Sequence, residues 1–147
     1  MACGRGRNAH FLAELGFEVD AIDVDQAAVD ELRRTGGAIT AIAADVTLTR
    51  FPREPYDVIV NVNFLARSIL SRLSAALAAD GLLVFETFTR DHVDVLGQRM
   101  NRSYLLEPNE LLRAFADLRV LHYREAVLDG ERPRAVAGLV ARNAAAV

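Results

Sequence analysis

Two glycines and one carboxylate near the start of the sequence have the residue types and the spacing of a turn that binds a nucleotide-like ligand. Gly4 and Gly6 lack a Cβ atom, so they allow a tight turn and a close approach of the backbone to a ligand. Asp23 closes a segment that alternates apolar and polar residues as a strand does. Roughly 20 residues separate such a turn from the acid that binds the hydroxyl groups of a ribose. The positions of Gly4 and Asp23 therefore predict a site for a ligand that contains a ribose.

Two classes of ligand fit this spacing. The run Gly4–Ala9, with the sequence GRGRNA, satisfies the G-x-G-x-x-G/A pattern of dinucleotide-binding turns. S-adenosylmethionine (SAM) has a ribose that meets the same acid, but it carries no phosphate. A turn of an α/β protein that binds no ligand is the third interpretation, because a short glycine pattern also occurs by chance.

Residues 2–25, ACGRGRNAHFLAELGFEVDAIDVD, resemble the first two motifs of the class I SAM-dependent methyltransferases. The turn Cys-Gly-Arg-Gly-Arg-Asn within them is similar to that of the TehB-like, tellurite-resistance branch. Later segments resemble further parts of the family: YDVIV its motif IV strand, LSAALAADGLLVFETF its motif V helix and strand, and LEPNELLRAF, LRVLHYRE and AVAGLVARN its carboxyl-terminal part. These segments occur in the family's order over nearly the whole chain, so the resemblance favours SAM over a dinucleotide.

The composition is that of a soluble globular protein. The 147 residues are 52% hydrophobic and 25% charged, and the net charge is −3. This charge gives no general electrostatic reason to expect nucleic acid or an anionic membrane as a partner. With a single cysteine and three histidines, the sequence predicts neither an internal disulfide nor a metal site. We therefore expect one cytoplasmic domain over residues 1–147, whose partner is a small molecule.

Hydrophobic periodicity and breaker residues predict alternating helices and strands. We expect a first helix that ends at Gly16 and has Phe11, Leu12 and Leu15 on its apolar face. Further helices are predicted over residues 25–34, 66–79 and 108–115, and a flexible loop or insert over residues 89–103. Strands are predicted over residues 17–22, 38–44, 56–61, 82–88, 118–125 and 135–142, the last two as a hairpin. This order indicates an α/β fold of the Rossmann-like, doubly wound type: a mostly parallel sheet with helices on both faces and a carboxyl-terminal antiparallel hairpin.

The resemblance also draws attention to the amino-terminal end. Class I methyltransferases usually have a full first strand before the glycine turn, and an acid on it helps to hold the amino group of SAM. Here Met1 stands near the place of that acid, two residues before Cys3. We therefore expect the sheet to lack most of its first strand, with the second and fourth strands flanking a remnant of about three residues. Unpaired backbone there would favour a homodimer through the turn or the sheet face beside it.

The resemblance implies roles for residues at the turn and at the strand ends. Asp23 would accept hydrogen bonds from the ribose hydroxyls, Asp45 and Val46 would bind adenine, and Asn61 would face the methionine end. The predicted cofactor-binding set is Cys3, Gly4, Gly6, Arg7, Asp23, Val24, Asp45, Val46 and Asn61. Glu86 and Tyr104 are candidates for contact with the substrate. Arg67, Arg90, Arg99 and Arg102 could line an entrance for an anionic substrate or form a solvated surface.

The sequence thus predicts a SAM-dependent methyltransferase that acts on a small-molecule acceptor. Methyl transfer from a sulfonium is an in-line displacement in which positioning and desolvation can carry much of the rate. This agrees with a sequence in which no catalytic pair is evident. Two alternatives are a non-catalytic relic of the same fold with weakened or lost SAM binding, and an NAD(P)-dependent oxidoreductase.

Overall fold

The computed structural model describes residues 1–144, and the chain divides into two compact units, Met1–Arg53 and Glu54–Val147. The division follows the pairing of the strands, which form a two-stranded sheet and a four-stranded sheet. The single domain stays a prediction. Within the described range, no helix combines the length and the apolar character that a bilayer crossing requires.

The amino-terminal unit consists of two helices and two parallel strands. Its elements are α1 (Arg7–Glu14), β1 (Val19–Asp23), α2 (Gln26–Thr35) and β2 (Ile39–Ala43). The register places Asp23 opposite Ala43, so both strands end at the same edge of the sheet. Val29 and Leu32 of α2 are fully buried against the small residues of the strands. The Asp25 carboxylate caps α2 by accepting hydrogen bonds from the backbone of Ala27 and Ala28 at 3.0 and 3.3 Å.

The apolar face predicted for α1 is right at Leu12 and wrong at Phe11 and Leu15. Phe11 and Leu15 are 59% and 60% exposed. The helix instead packs through Ala9, Leu12 and Ala13, which follow the i, i+3, i+4 spacing of one helix face. Small residues on this face let the short helix lie close to the sheet, and the larger apolar side chains remain at the surface.

The carboxyl-terminal unit is a four-stranded mixed sheet with short helices. Its elements are β3 (Tyr56–Val62), a 3₁₀ turn (Arg67–Ile69), α3 (Leu70–Ala75), β4 (Leu77–Phe88), α4 (Asp91–Asp94), a second 3₁₀ turn (Arg102–Tyr104), α5 (Glu110–Ala114), β5 (Arg119–Leu128) and β6 (Arg134–Arg142). The strand order is β3-β4-β6-β5, with β3 and β4 parallel and the other two pairs antiparallel. Phe85 and Phe115 meet in the core with their ring centroids 5.7 Å apart.

The pairing bears out the predicted class, an α/β fold with parallel strands and an antiparallel hairpin, but the predicted sheet is divided. β1 and β3, which were expected to flank the remnant of a first strand, are edge strands of separate sheets. Residues 1–3 form no strand, and Cys3 makes one backbone hydrogen bond to Ile22 at 3.1 Å. The turn at Gly4 follows at once, so a longer ladder to β1 does not form.

The helix predicted over residues 66–79 is also wrong at its end, because α3 stops at Ala75. The backbone of Tyr56 donates a hydrogen bond to the Ala76 carbonyl at 2.8 Å. The amide of Asn143 donates to the carbonyls of Leu77 and Ala78 at 3.1 and 3.0 Å. These partners hold the chain in strand conformation from Leu77 onward, and local apolar spacing gives no sign of them.

Residues 89–103 are folded rather than a plain loop. They contain α4 and part of a 3₁₀ turn, and Arg90 joins them to Glu107 with two hydrogen bonds of 2.8 and 3.0 Å. His92 is buried in α4, where its ring packs on Phe88 with centroids 4.6 Å apart. Its Nδ1 atom accepts a long hydrogen bond of 3.4 Å from the backbone of Ala135. A buried imidazole therefore connects this segment to β6.

The buried imidazole predicts a loss of stability in acid. Burial and, secondly, the charge of Arg134 lower the pKa of His92. The folded state therefore favours the neutral ring. This contribution to stability is complete above the unfolded-state pKa of about 6.5 and is lost as the pH falls toward the lowered folded-state value.

Denaturant unfolding at a series of pH values checks this. We expect the His92→Phe variant, which keeps an aromatic ring on Phe88, to lose this part of the acid dependence. A variant of the exposed His122, His122→Gln, should keep it. Equal profiles for the wild type and His92→Phe would contradict the assignment.

Candidate functional site

The carboxylate of Asp23 closes the glycine turn onto the end of β1. Its Oδ2 atom accepts a hydrogen bond from the Gly4 backbone at 2.8 Å, and its Oδ1 atom accepts one from the Asp25 backbone at 2.9 Å. The predicted spacing between Gly4 and Asp23 is therefore realised as a direct contact. One side chain fixes both the turn before α1 and the start of the segment that leads into α2.

The two glycines of the turn have different reasons to be glycine. Gly4 has φ +50° and nothing within 4 Å of the position of a Cβ atom, so only its backbone conformation is demanding. Gly6 has φ +83°, and a Cβ atom there would lie 2.5 Å from Cδ1 of Leu32. Leu32 is 1% exposed and has little room to move. Gly6 thus lets the start of α1 pack directly on α2.

We expect Gly6→Ala to destabilise the protein more than Gly16→Ala does. Both glycines have positive φ, but a Cβ atom at Gly16 meets nothing within 4 Å. The additional cost at Gly6 should be about 1–3 kcal/mol, the usual cost of overpacking a core. Denaturant unfolding of the single variants and of Gly6→Ala combined with Leu32→Ala measures it. The account requires the double variant to be less destabilised than the sum of its parts, and strict additivity would contradict it.

The other residues predicted at the turn differ in how exposed their side chains are. Cys3 is half-buried, and burial and the charge of Asp23 raise the pKa of its thiol. Arg7 is exposed in the first turn of α1. Val24 is 70% exposed directly after Asp23. An exposed apolar side chain therefore lies in sequence beside the carboxylate, at the edge where both strands end.

Asp45 and Val46 follow the neighbouring strand end. The Ala44 backbone donates to the Asp23 carbonyl at 2.9 Å, which brings the end of β2 to the end of β1. Asp45 is exposed, and its Oδ1 atom accepts hydrogen bonds from the backbone and hydroxyl of Thr47 at 2.8 and 2.7 Å. These bonds lower the pKa of the Asp45 carboxyl. Val46 is 5% exposed.

Thr47 is a residue of this edge that sequence reasoning missed. Its two hydrogen bonds make Asp45 the first residue of a local turn, with the acid folded over its own backbone. The sequence Asp45-Val46-Thr47 carried the signal, because aspartate side chains commonly bond the backbone two residues on. Thr47 therefore fixes the turn from which Asp45 would contact a ligand.

Three predicted residues belong to the carboxyl-terminal unit. Asn61 is fully buried near the end of β3, and its Nδ2 atom donates to the Phe64 carbonyl at 2.7 Å. Within residues 1–144, its Oδ1 atom has no hydrogen-bond partner. Glu86 contacts Nη2 of Arg124 at 3.4 Å. Tyr104 lies in the second 3₁₀ turn and is 57% exposed, so its ring does not pack into the core.

The arginines that were candidates for an anionic entrance are mostly engaged within the protein. Arg67 makes hydrogen bonds of 2.6 and 2.9 Å to the Glu110 carboxylate and of 2.7 and 2.8 Å to the carbonyls of Ser103 and Leu105. Arg90 pairs with Glu107 as described above, and Arg102 pairs with Asp94. These guanidinium groups stabilise the fold of residues 89–110, which does not support an entrance lined by free arginines.

The comparison with protein families identifies the class of protein. Residues 1–81, which are more than half of the chain, match the family described as methyltransferase domain. The matched range includes the glycine turn, Asp23, Asp45 and Asn61. The chain therefore belongs to the methyltransferase domain family.

Solved structures with the same fold agree with this family. The chain is similar to TehB from Haemophilus influenzae, with a TM-score of 0.80 and 23% identity over 95% of this chain and 55% of that one. It is also similar to the N-methyltransferase NodS from Bradyrhizobium japonicum WM9 in complex with S-adenosyl-L-homocysteine, with a TM-score of 0.72 and 19% identity over 96% of this chain and 74% of that one.

A third structure, a SAM-dependent methyltransferase from Methanosarcina mazei, has a TM-score of 0.75 and 15% identity over 97% of this chain and 89% of that one. No curated protein matches the sequence. The fold of this chain is that of the class I SAM-dependent methyltransferases, with TehB among its structural relatives, as the sequence predicted. The chain spans 55% of the length of TehB.

Proposed function

We propose that this chain is a SAM-dependent methyltransferase that transfers a methyl group to a small-molecule acceptor. The contact between the Asp23 carboxylate and the Gly4 backbone is the observation that carries the proposal. It joins the two features of the sequence that a ribose-containing ligand requires, in a chain of the methyltransferase domain family. The NodS structure, which contains S-adenosyl-L-homocysteine, is a structural relative with a bound product of such a reaction.

The residues at the turn fit SAM. Each carboxylate oxygen of Asp23 accepts one backbone hydrogen bond and retains a second acceptor position for a ribose hydroxyl. Val24 offers an exposed apolar surface next to that carboxylate, which suits the face of an adenine ring. Asp45 and Val46 would flank the ring from the adjacent strand end. Cys3, Gly4, Gly6 and Arg7 would hold the methionine part.

When bound, SAM supplies a methyl group activated by its positively charged sulfur, and the residues of the chain hold SAM in position. Gly4, which has positive φ and nothing within 4 Å of its Cβ position, keeps the turn open to close approach. Asp23 holds that turn in one geometry and orients the ribose through its remaining lone pairs. Glu86 and Tyr104 are the candidates for contact with the acceptor.

We expect S-adenosyl-L-homocysteine to raise the melting temperature of the wild-type protein, because a ligand of the native state stabilises it by about 2.7 kcal/mol at 100 times its Kd. Asp23→Asn should weaken this binding at least about tenfold. Asp25→Asn, two residues away, is the matched control, because asparagine caps a helix as well as aspartate does. Titration calorimetry of the three proteins measures the affinities.

The alternatives predict other results. Equal affinities of wild type and Asp23→Asn would remove the ribose role of Asp23. If the wild-type protein binds no S-adenosyl-L-homocysteine, the result would favour the non-catalytic relic of the fold. Binding of NADH in its place would indicate an oxidoreductase.

We also propose that the chain is a cytoplasmic homodimer that joins near the amino-terminal turn. Phe11 on α1 and Leu15 directly after that helix are exposed and present apolar surface there. Sedimentation equilibrium should give twice the chain mass at micromolar concentration, and the Phe11→Glu, Leu15→Glu double variant should shift the equilibrium toward monomer. A wild-type monomer throughout that range would contradict the proposal.

A further inference from the structure

Glu86 and Arg124 meet across an intervening strand. Glu86 of β4 is paired with Gly138 of β6, and Gly138 is paired with Arg124 of β5. Directly paired residues point to the same face of a sheet, so the three residues form one row. The guanidinium Nη2 atom of Arg124 reaches Oε2 of Glu86 at 3.4 Å, although their strands are not neighbours.

The glycine in the middle of the row leaves open the space beneath this contact. A Cβ atom on Gly138 would lie 3.4 Å from Oε2 of Glu86 and 4.0 Å from Nε of Arg124. Both side chains therefore pass directly over the glycine. No positive φ requires a glycine at this position, and glycine in a strand interior costs stability. Gly138 instead provides free surface between the two charged side chains.

The pair has a single long contact, whereas two other arginines of this unit each make two shorter hydrogen bonds to one carboxylate. Arg67 binds Glu110 through Nε and Nη2 at 2.6 and 2.9 Å, and Arg90 donates from Nη1 to both carboxylate oxygens of Glu107 at 3.0 and 2.8 Å. Glu86 and Arg124 share one contact of 3.4 Å, and their side chains are 25% and 48% exposed. The guanidinium fork keeps donors, and the carboxylate keeps acceptor positions, that this single contact does not use.

The row also lies where ligands bind in this type of sheet. Glu86 is paired with Val62, the last residue of the parallel strand β3, and it lies two residues before the end of β4. Ligands of open α/β sheets bind outside the carboxyl ends of the parallel strands. The charge pair thus lies near that edge of the sheet in the carboxyl-terminal unit.

We propose that Glu86 and Arg124, above Gly138, form a subsite for an α-amino-acid group. Such a group carries its ammonium and its carboxylate on one carbon, so it can present a cation to Glu86 and a bidentate anion to Arg124. It replaces one long contact with two charge-assisted ones. The proposal rests on the proposed methyltransferase function and deepens it, since the group would belong to the acceptor.

Two titrations of the full chain test the subsite and separate it from the binding of SAM. In the first, S-adenosyl-L-homocysteine is titrated into wild type, Glu86→Gln, Arg124→Gln and Gly138→Ala. In the second, L-histidine, L-phenylalanine and L-glutamate, each with its N-acetyl derivative and its methyl ester, are titrated into the same proteins after saturation with S-adenosyl-L-homocysteine. Glu131→Gln and Arg119→Gln, which change exposed residues outside the row, are the matched controls.

If the acceptor carries the group, at least one free amino acid binds to the wild type, and its acetylated and esterified forms bind at least about tenfold more weakly. Glu86→Gln should then abolish the discrimination against the acetyl form, and Arg124→Gln the discrimination against the ester. The three row variants should keep the wild-type affinity for S-adenosyl-L-homocysteine. Gly138→Ala should lose binding of the amino acid while its stability toward denaturant is unchanged or higher, which a merely structural role would not produce.

Wild-type affinities for the amino acids in the row variants, or no binding of the three amino acids to the wild type, would overturn the subsite. A loss of affinity for S-adenosyl-L-homocysteine in the row variants would also contradict it. Failure of the wild type to bind S-adenosyl-L-homocysteine at all would instead count against the proposed function. In that case, the amino-acid series on the free protein still decides whether the row binds a zwitterion.

Discussion

The hydrogen bond from the Gly4 backbone to the Asp23 carboxylate is the contact on which the amino-terminal unit depends. A second backbone hydrogen bond, from Asp25, engages the other oxygen of the same carboxylate, and the Asp25 side chain then caps α2. The Asp23 carbonyl accepts from Ala44, which places the end of β2 beside it. One residue thus holds the glycine turn, the entry to a helix and two strand ends together. These are the parts that a ribose-containing ligand would contact, so the fold of the unit and its proposed function share one carboxylate.

The carboxyl-terminal unit uses its charges in two ways. Arg67 is bound bidentately by Glu110 of α5, and its guanidinium also donates to the carbonyls of Ser103 and Leu105. Arg90 donates from one nitrogen to both oxygens of Glu107. The Arg67 guanidinium therefore has few donors left for a ligand. Arg124 is different, because it reaches Glu86 across Gly138 with a single long contact and substantial exposure. The number and length of the contacts, rather than the presence of an arginine, separate the structural pairs from a candidate binding pair.

The sequence predicted the features that depend on local interactions and missed those that depend on contacts between residues distant in sequence. The spacing of Gly4 and Asp23 was predictable because a turn, a helix and a strand of ordinary lengths leave little choice for where the acid lies. The helix that Asp25 caps was predictable from local chemistry. The exposure of Phe11 was not predictable, because α1 packs through a neighbouring face that the sizes of its apolar residues do not indicate. The end of α3 was not predictable either. Leu77 fits a helical pattern, but contacts with Tyr56 and Asn143, which are distant in sequence, place it in β4. The row through Gly138 requires the register of three strands, which no local pattern contains.

The central claim is that the turn closed by Asp23 binds SAM. Two-dimensional amide NMR of the full chain, titrated with S-adenosyl-L-homocysteine and separately with NADH, tests it most directly. The account predicts saturable shifts with S-adenosyl-L-homocysteine that are largest at the amides of Gly4, Gly6 and Val24 and extend to Val46, and no such shifts with NADH. Amides at the turn that stay unchanged with S-adenosyl-L-homocysteine, or that respond only to NADH, would contradict it.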